Sequence, residues 1–437
     1  MNYKEYERAA EEQMAKDPQI SYELIDHDGG VVFGEKYGDT IAKPEEKDGH
    51  VLVIGGVGSG KTTCIAIPTL LSWKNRVFAI DIKSELHKET TKKRPDKLQN
   101  IRVFEPLNND TLGYDPFHLL RSTTNQAQAA RIISNALITV PADIKDPFWA
   151  ESARNMLTGA ILHFINERCS FVETIRKILS TPIKKLIEQL KASETKKVIY
   201  FINAFDGMSE KTLSGVYAEL CRHIVIYVTD DDIEYALTRE DCIKPKDLEM
   251  GKDIYIIIPE HLLDEWKNLL TLMISQFLKF FEERKDMDEN APPILFLLDE
   301  FARLGKIEKM TNALATLRSR KITICLILQS LAQLDLIYGK ETKNVMCDTC
   351  AYKAVLSATD PDTQEIFSKL VGTYDRYKLT DSRNTRPILK LPTSDGVSTT
   401  TEERRIIKPE EFATLPDIVL LSPYGFFRVE KKPYYED

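Results

Sequence analysis

Apolar residues fall along this chain in two rhythms, and the switch between them divides it. Val51–Ile54 is a short, wholly apolar run, a glycine-rich stretch follows, and Lys61–Leu71 then places apolar residues at helical spacing. Val77–Ile82 and Ile101–Phe104 are further runs with the length and β-branched content of buried strands. From Asn125 to about Asp247 the strand signal disappears. Gln126–Val140, Phe148–Ile165, Thr174–Leu179, Ile183–Leu190, Val198–Phe205 and Lys211–Ile224 read as helices, punctuated at Pro141, Pro147, Pro182 and Gly207. Strands return at Ile254–Ile258, Ile294–Leu298, Ile322–Leu328 and Tyr352–Leu356, separated by helices at Asp264–Glu283, Glu308–Arg320 and Thr342–Cys350. Alternating strands and helices predict an α/β fold with a largely parallel central sheet, interrupted by an inserted all-α domain. The expected boundaries are a lead-in over 1–48, a split α/β domain over 49–121 and 248–437, and the helical insertion over 122–247. The lead-in reads as a helix (Tyr3–Met14) and a small hairpin with turns at Gly29-Gly30 and Gly34. Asp381–Glu403, rich in Ser, Thr, Asp, Asn and Arg, predicts a mobile loop, and Ile418–Leu421 with Phe426–Glu430 a closing hairpin.

Composition narrows the partners more than the fold. A formal charge of -8 over 437 residues excludes a domain that adheres to nucleic acid by its overall charge. Any DNA contact must come from a local basic surface, such as a pore built by several subunits. The longest apolar helix candidate, Leu269–Phe281, is broken by Thr271, Ser275, Gln276 and Lys279, so no segment reads as a membrane span. Seven scattered cysteines suit a reducing compartment, and the one CxxC, Cys347 and Cys350, has no second pair or nearby His to make a metal site.

The chemistry is carried by two motifs. Gly55-Gly56-Val57-Gly58-Ser59-Gly60-Lys61-Thr62 fits G-x-x-x-x-G-K-[ST] between a strand and a helix. Gly55, Gly58 and Gly60 let successive N–H groups turn inward around phosphates, and Ser59, Thr62 and Thr63 line the helix start. Lys61 neutralises phosphate charge and the Thr62 hydroxyl ligates Mg²⁺, so ATP and Mg²⁺ are the expected cofactors. Such a site also needs a carboxylate for the metal and a base for the attacking water. Ile294–Leu298 ends in Asp299 and Glu300, which supply both.

Other residues admit two readings each. Gln329 ends the next strand, where its amide either senses the γ-phosphate or caps the strand. Arg318, with Arg320 and Lys321, is either an arginine finger for a neighbouring subunit or favourable charge at a helix C-terminus. Asp81 faces the same sheet edge or caps a helix. Lys92-Lys93-Arg94, Lys184-Lys185, Lys196-Lys197 and Arg404-Arg405 read as solvated surface.

From about His50 onward the chain resembles the type IV secretion coupling proteins, the conjugation ATPases of the TraG/TraD kind. The resemblance rests on His50–Thr63 with Ile67–Leu71, Asp81–Glu85 and Phe148-Trp149. It rests above all on Leu297–Gly305 (LLDEFARLG) and Leu328–Leu334 (LQSLAQL), and it extends to Arg404-Arg405, Lys408–Glu411 and Leu415-Pro416. It implies a RecA-like P-loop domain interrupted by an all-α domain that engages cargo. It also implies ring hexamers with ATP between subunits and Arg318 acting in trans. The implied work is at the inner face of the cell membrane: taking a relaxase–single-stranded DNA complex or protein effectors to the secretion channel and its ATPases. Family members usually carry two N-terminal transmembrane helices, so the resemblance further implies either a soluble part or a member with a separate membrane-anchoring partner. Two other readings remain at this stage, a duplex-DNA pump on a similar core and a cargo receptor that uses ATP as a switch.

Overall fold

The computed structural model describes residues 14–26, 29–140, 146–382 and 396–436. A hairpin comes first, β1 (Gly30–Lys36) paired antiparallel with β2 (Asp39–Pro44). The remaining strands in chain order are β3 (Val51–Ile54), β4 (Arg76–Asp81), β5 (Ile101–Phe104), β6 (Asp253–Ile257), β7 (Ile294–Leu298), β8 (Ile322–Leu328), β9 (Tyr352–Val355), β10 (Thr373–Ser382), β11 (Gly396–Arg405), β12 (Ile418–Ser422) and β13 (Gly425–Val429). Nine of them form one sheet in the order β13-β12-β9-β3-β8-β7-β4-β6-β5. Strands β3 to β9 within it are parallel, and β12 and β13 add an antiparallel margin.

Burial explains why the parallel strands read as runs and not as alternations. Every position of β3, β6, β7 and β8 is buried, because both faces of the sheet are covered. Successive side chains then enter two different cores. Leu52 and Ile54 of β3 join one core with Phe78, Phe277 and Phe296, whereas Val51 and Val53 join the other with Ile65, Ile67, Leu70 and Trp73. The first core is stitched by rings: Phe78 lies 4.6 Å from Phe277 of the helix Leu263–Glu282 and 4.9 Å from Phe296, centroid to centroid. Phe277→Ala would cost about 3–5 kcal/mol by opening that core.

Between β5 and β6 the described residues form helices, with Phe148–Asn166 at the centre, packed on Gln126–Leu137, Lys196–Ile202 and Glu210–Ile224. Two glycines admit this closeness: a Cβ on Gly159 would lie 2.8 Å from Ile202, and one on Gly215 2.6 Å from the Trp149 ring. Ser170 and Glu173 start one helix with a reciprocal capping box.

The structure corrects three local expectations. Gly34 lies inside β1 at a register shift, and the hairpin turns at Tyr37-Gly38, both with positive φ, 56° and 89°. Asp381–Glu403 is not a loop throughout: Gly396–Glu403 belongs to β11, which pairs antiparallel with β10, Ser382 facing Gly396. The helix expected over Glu308–Arg320 is Met310–Thr316 followed by a single 3₁₀ turn, Arg318–Arg320. Apart from Met14, the predicted Tyr3–Met14 helix lies outside the described residues. Among those residues no helix is long and apolar enough to cross a membrane.

Candidate nucleotide site

β3 lies between β8 and β9, so the glycine loop leaves the sheet in a cleft between two parallel neighbours. Gly55 N donates to the Leu328 carbonyl at 3.1 Å, and Leu356 N donates to the Ile54 carbonyl at 2.8 Å. A Cβ on Gly55 would sit 2.3 Å from Ser59 Oγ and 3.0 Å from Lys61 Cγ, so only glycine lets the loop fold back this tightly. Gly58 and Gly60 take φ of 73° and 98°. The first turns of the following helix, Lys61–Ala66, are wide (π-type) before regular helix resumes at Ile67–Ser72.

Lys61 is buried and its Nζ donates to two carbonyls of its own loop, Gly55 at 2.7 Å and Gly56 at 3.2 Å. Burial holds its pKa below the usual lysine value, Glu300 and Asp299 oppose that, and Lys83 adds to it. Ser59 Oγ is buried without a hydrogen-bond partner among the described residues. An orphaned hydroxyl beside an ammonium folded under turned glycines is a cradle that suits phosphate oxygens. Thr62 and Thr63 are half-buried beside it.

The second half of the site comes from β7, two strands away at the same sheet edge. Asp299 is only 4% exposed, and its Oδ1 accepts from Glu300 N at 3.0 Å. Burial pushes its carboxyl up to about 6, with the Glu300 charge adding to the shift. Glu300 sits in the left-handed region at φ 48°, a geometry that costs a non-glycine residue on the order of 1 kcal/mol or more. Its carbonyl accepts from Arg303 N at 2.8 Å, and its Oε2 accepts from Gln329 Nε2 at 3.1 Å. Gln329 therefore meets Glu300 directly across β7 and β8.

Arg318 is not brought to this place. It is exposed in the turn before β8, at the opposite edge of the sheet, roughly 20 Å away along the strand. Asp81 caps the helix Glu85–Lys93, accepting from Glu85 N at 3.1 Å and His87 N at 2.8 Å. Cys347 and Cys350 are buried thiols, and the described residues hold no cluster of three or more His, Cys, Asp or Glu that could hold a metal. Of the basic runs, Lys184 pairs with Glu210, Arg404 with Glu402 and Arg405 with Glu365.

Ser357 escaped the sequence reading. Its Oγ accepts from Gly56 N at 3.0 Å, so it holds the first turn of the loop from the β9 side. A hydroxyl just past a strand is no signal by itself; it becomes one only when β9 is known to flank β3.

A glycine loop over a buried lysine, with carboxylates two strands away on a parallel sheet, defines a RecA-like P-loop fold. The chain belongs, more narrowly, to the family described as Type IV secretory system Conjugative DNA transfer, which matches residues 3–437. It is 26% identical over 424 residues to Protein VirD4 of Rhizobium radiobacter, covering 93% of this chain and 60% of that one. It is also 26% identical over 399 residues to the conjugal transfer protein TraG of Rhizobium radiobacter, covering 81% and 61%. The chain thus spans about 60% of the length of these relatives. Its fold is shared with the unbound bacterial conjugative coupling protein TrwBdeltaN70 (TM-score 0.72, 15% identity, 97% of this chain and 91% of that one). The plasmid coupling protein TrwB in complex with ADP and Mg²⁺ matches at TM-score 0.71 and 16% identity, covering 94% and 90%.

Proposed function

We propose that this chain is the ATP-binding and ATP-hydrolysing part of a coupling protein for conjugation or type IV secretion. The observation that carries the reading is the contact of Glu300 with Gln329 at 3.1 Å, at the sheet edge where the Lys61 loop and Asp299 also lie. Solved TrwB complexes with an ATP analogue and with ADP and Mg²⁺ support the choice of cofactors.

Each residue then has a task. Gly55, Gly58, Ser59, Gly60 and Thr63 shape the phosphate cradle, and Lys61 exchanges its two loop carbonyls for phosphate oxygens. Thr62 and Asp299 would hold Mg²⁺, which would neutralise phosphate charge and polarise the γ-phosphorus. Glu300, released from Gln329, takes a proton from the water whose oxygen bonds to that phosphorus as the bond to the ADP oxygen breaks. Gln329 reports the change to the helix that follows it. Arg318 meets the developing charge on a neighbouring copy's nucleotide, in a ring of six copies.

Residues 122–247 form the cargo-engaging all-α domain, set within a nucleotide-binding domain split over 49–121 and 248–437. The cargo is a relaxase with single-stranded DNA or a protein effector. The work is done at the inner face of the membrane, with the channel ATPases and a membrane anchor as partners.

Steady-state ATP hydrolysis across a protein concentration series, with no DNA, single-stranded DNA or duplex, tests this reading. Specific activity should climb with concentration and with single-stranded DNA and vanish in Glu300→Gln. Absence of hydrolysis at every concentration, with nucleotide-dependent cargo binding intact, would replace the motor by a switch.

A further inference from the structure

Residues 301–308 run from Glu300 to the helical block and are anchored along their length. The Phe301 ring stacks on Tyr338, centroids 6.0 Å apart and planes 14° from parallel. The Leu304 carbonyl accepts from the Thr271 hydroxyl at 3.0 Å, and Ile307 N donates to the Tyr338 hydroxyl at 3.0 Å. At the far end the helical block takes both carboxylate oxygens of Glu308, Oε1 from Arg154 Nη2 at 2.9 Å and Oε2 from Asn135 Nδ2 at 3.2 Å.

Arg154 is no loose surface partner. It is buried, and its guanidinium also donates to the Ile138 carbonyl at 2.7 Å, the Asn135 carbonyl at 3.3 Å and Glu151 at 2.9 Å. It closes the C-terminal end of Gln126–Leu137 and ties it to Phe148–Asn166. Glu308 shares the guanidinium with Glu151, so its removal takes one partner from Arg154 without leaving the charge unpaired, and in the intact protein a displacement of Glu308 pulls directly on Arg154.

The near end is held in a strained geometry. Glu300 is held at φ 48° with its carboxylate on Gln329, and a residue in a disfavoured backbone geometry persists there only while its surroundings hold it. Tyr338 belongs to the helix that follows Gln329, Leu331–Tyr338, and it grips the segment at both Phe301 and Ile307. A shift at Glu308 therefore reaches Glu300 through covalent chain and buried contacts alone.

We propose that Glu308 is a positioning residue for Glu300: through Arg154 and Asn135 the helical block sets the 301–308 segment, and with it whether Glu300 stays on Gln329 or turns free to take a proton from water. This rests on Glu300 being the water-activating carboxylate. Glu308 touches neither nucleotide nor water in this scheme, and it carries the regulation of the site by whatever the helical block binds.

Hydrogen–deuterium exchange on the full chain, with and without Mg²⁺ and a non-hydrolysable ATP analogue, reads the coupling directly. The Glu308 side chain is 42% exposed, so Glu308→Ala and Glu308→Gln leave the core intact. In the wild type the analogue should change exchange in Gln126–Leu137 and Phe148–Asn166. In Glu308→Ala that change should shrink about fivefold or more, while affinity for a fluorescent ATP analogue stays within about twofold. The kcat of the assembled protein should fall about tenfold with KM unchanged. Glu308→Gln, which keeps an oxygen for Arg154, should recover part of both. A Glu308→Ala protein that transmits the full exchange change and hydrolyses at the wild-type rate overturns the proposal. Wild type that binds the analogue with no response in those helices overturns it too and leaves the ATPase reading standing; no nucleotide binding at all removes both.

Discussion

The two edges of the central sheet handle charge in opposite ways. At the C-terminal ends of the parallel strands, opposite charges converge: Lys61, Asp299 and Glu300 are 7%, 4% and 8% exposed and gather near one loop. At the N-terminal ends, a fully buried cation sits beside a neutral imidazole, and the Asp48, Glu45 and Glu46 charges only partly offset its burial. Lys43 is fully buried, donating to Thr323 Oγ1 at 3.0 Å and the Pro44 carbonyl at 3.1 Å, and the buried His50 accepts from Ile324 N at 3.0 Å. Burial first, then Lys43 and Arg318, push the His50 pKa down to about 3, so it stays neutral. Arg318 lies exposed beside them and makes no ion pair among the described residues. The first edge can bind an anion on its own; the second offers an uncompensated cation outward. The two complement each other only between copies of the chain, as the proposed ring requires.

The largest expected effect breaks or secures that complementarity. Arg318→Ala should lower hydrolysis in the assembled protein by about 10³–10⁵, the worth of a trans finger in related P-loop enzymes. Glu300→Gln should be similarly inactive. Mixed, the two should regain activity, because an interface can then join an intact Glu300 from one copy to an intact Arg318 from the next. Hydrolysis assays of the mixture that stay at the level of the separate variants would place Arg318 outside the reaction.

Stability against pH sharpens the contrast at each edge. The Lys43 ammonium is pushed from 10.5 down to about 8 by burial. A cation with a lowered folded pKa carries its penalty in full below that value and loses it above the unfolded one. Relative to Lys43→Met, the wild type should therefore gain about 3 kcal/mol as pH rises from 8 to 10.5, in urea melts. At pH 7 the variant should gain less than that, since two acceptors each lose a bond of about 0.5–1.5 kcal/mol. The acid at the other edge has the mirror behaviour. With its folded pKa raised to about 6, Asp299 is costly wherever it is ionised. Asp299→Asn should stabilise the nucleotide-free protein by on the order of 2 kcal/mol at pH 7.5. Melts repeated at lower pH should show the gain fading between pH 6 and 4.

How far this was legible in the sequence follows from whether the signal was local. The strand–loop–helix around Lys61 carries its own context, whereas the apolar run into Asp299-Glu300 gained its meaning only once paired with that loop. The polar hairpin β10–β11 forms a separate two-stranded sheet. Its second strand is rich in Ser, Thr, Glu and Arg with no apolar alternation, so Asp381–Glu403 read as a loop. Contacts such as Glu308 with Arg154, 154 residues apart, or Tyr338 with Ile307, depend on the topology and leave no pattern in any window of sequence. For Arg318 the residues alone left the finger and the helix-end charge open, and the family resemblance favoured the finger, because a role between copies leaves no contact within one chain to read.

The smallest expected effect asks how far the nucleotide edge extends across the sheet. Ser357 follows β9, outside every motif, yet its hydroxyl takes the Gly56 N–H at 3.0 Å. That bond orders the first turn of the loop before any phosphate arrives, and preorganisation of this kind lowers the entropic cost of binding. Ser357→Ala removes one neutral hydrogen bond, so nucleotide affinity should weaken by about fivefold, or roughly 1 kcal/mol. Titration with a fluorescent ATP analogue would measure it. Tighter binding in the variant would mean that the Ser357 hydroxyl competes with phosphate for the Gly56 N–H, and that the edge is sprung closed on the β9 side and not preset for its ligand.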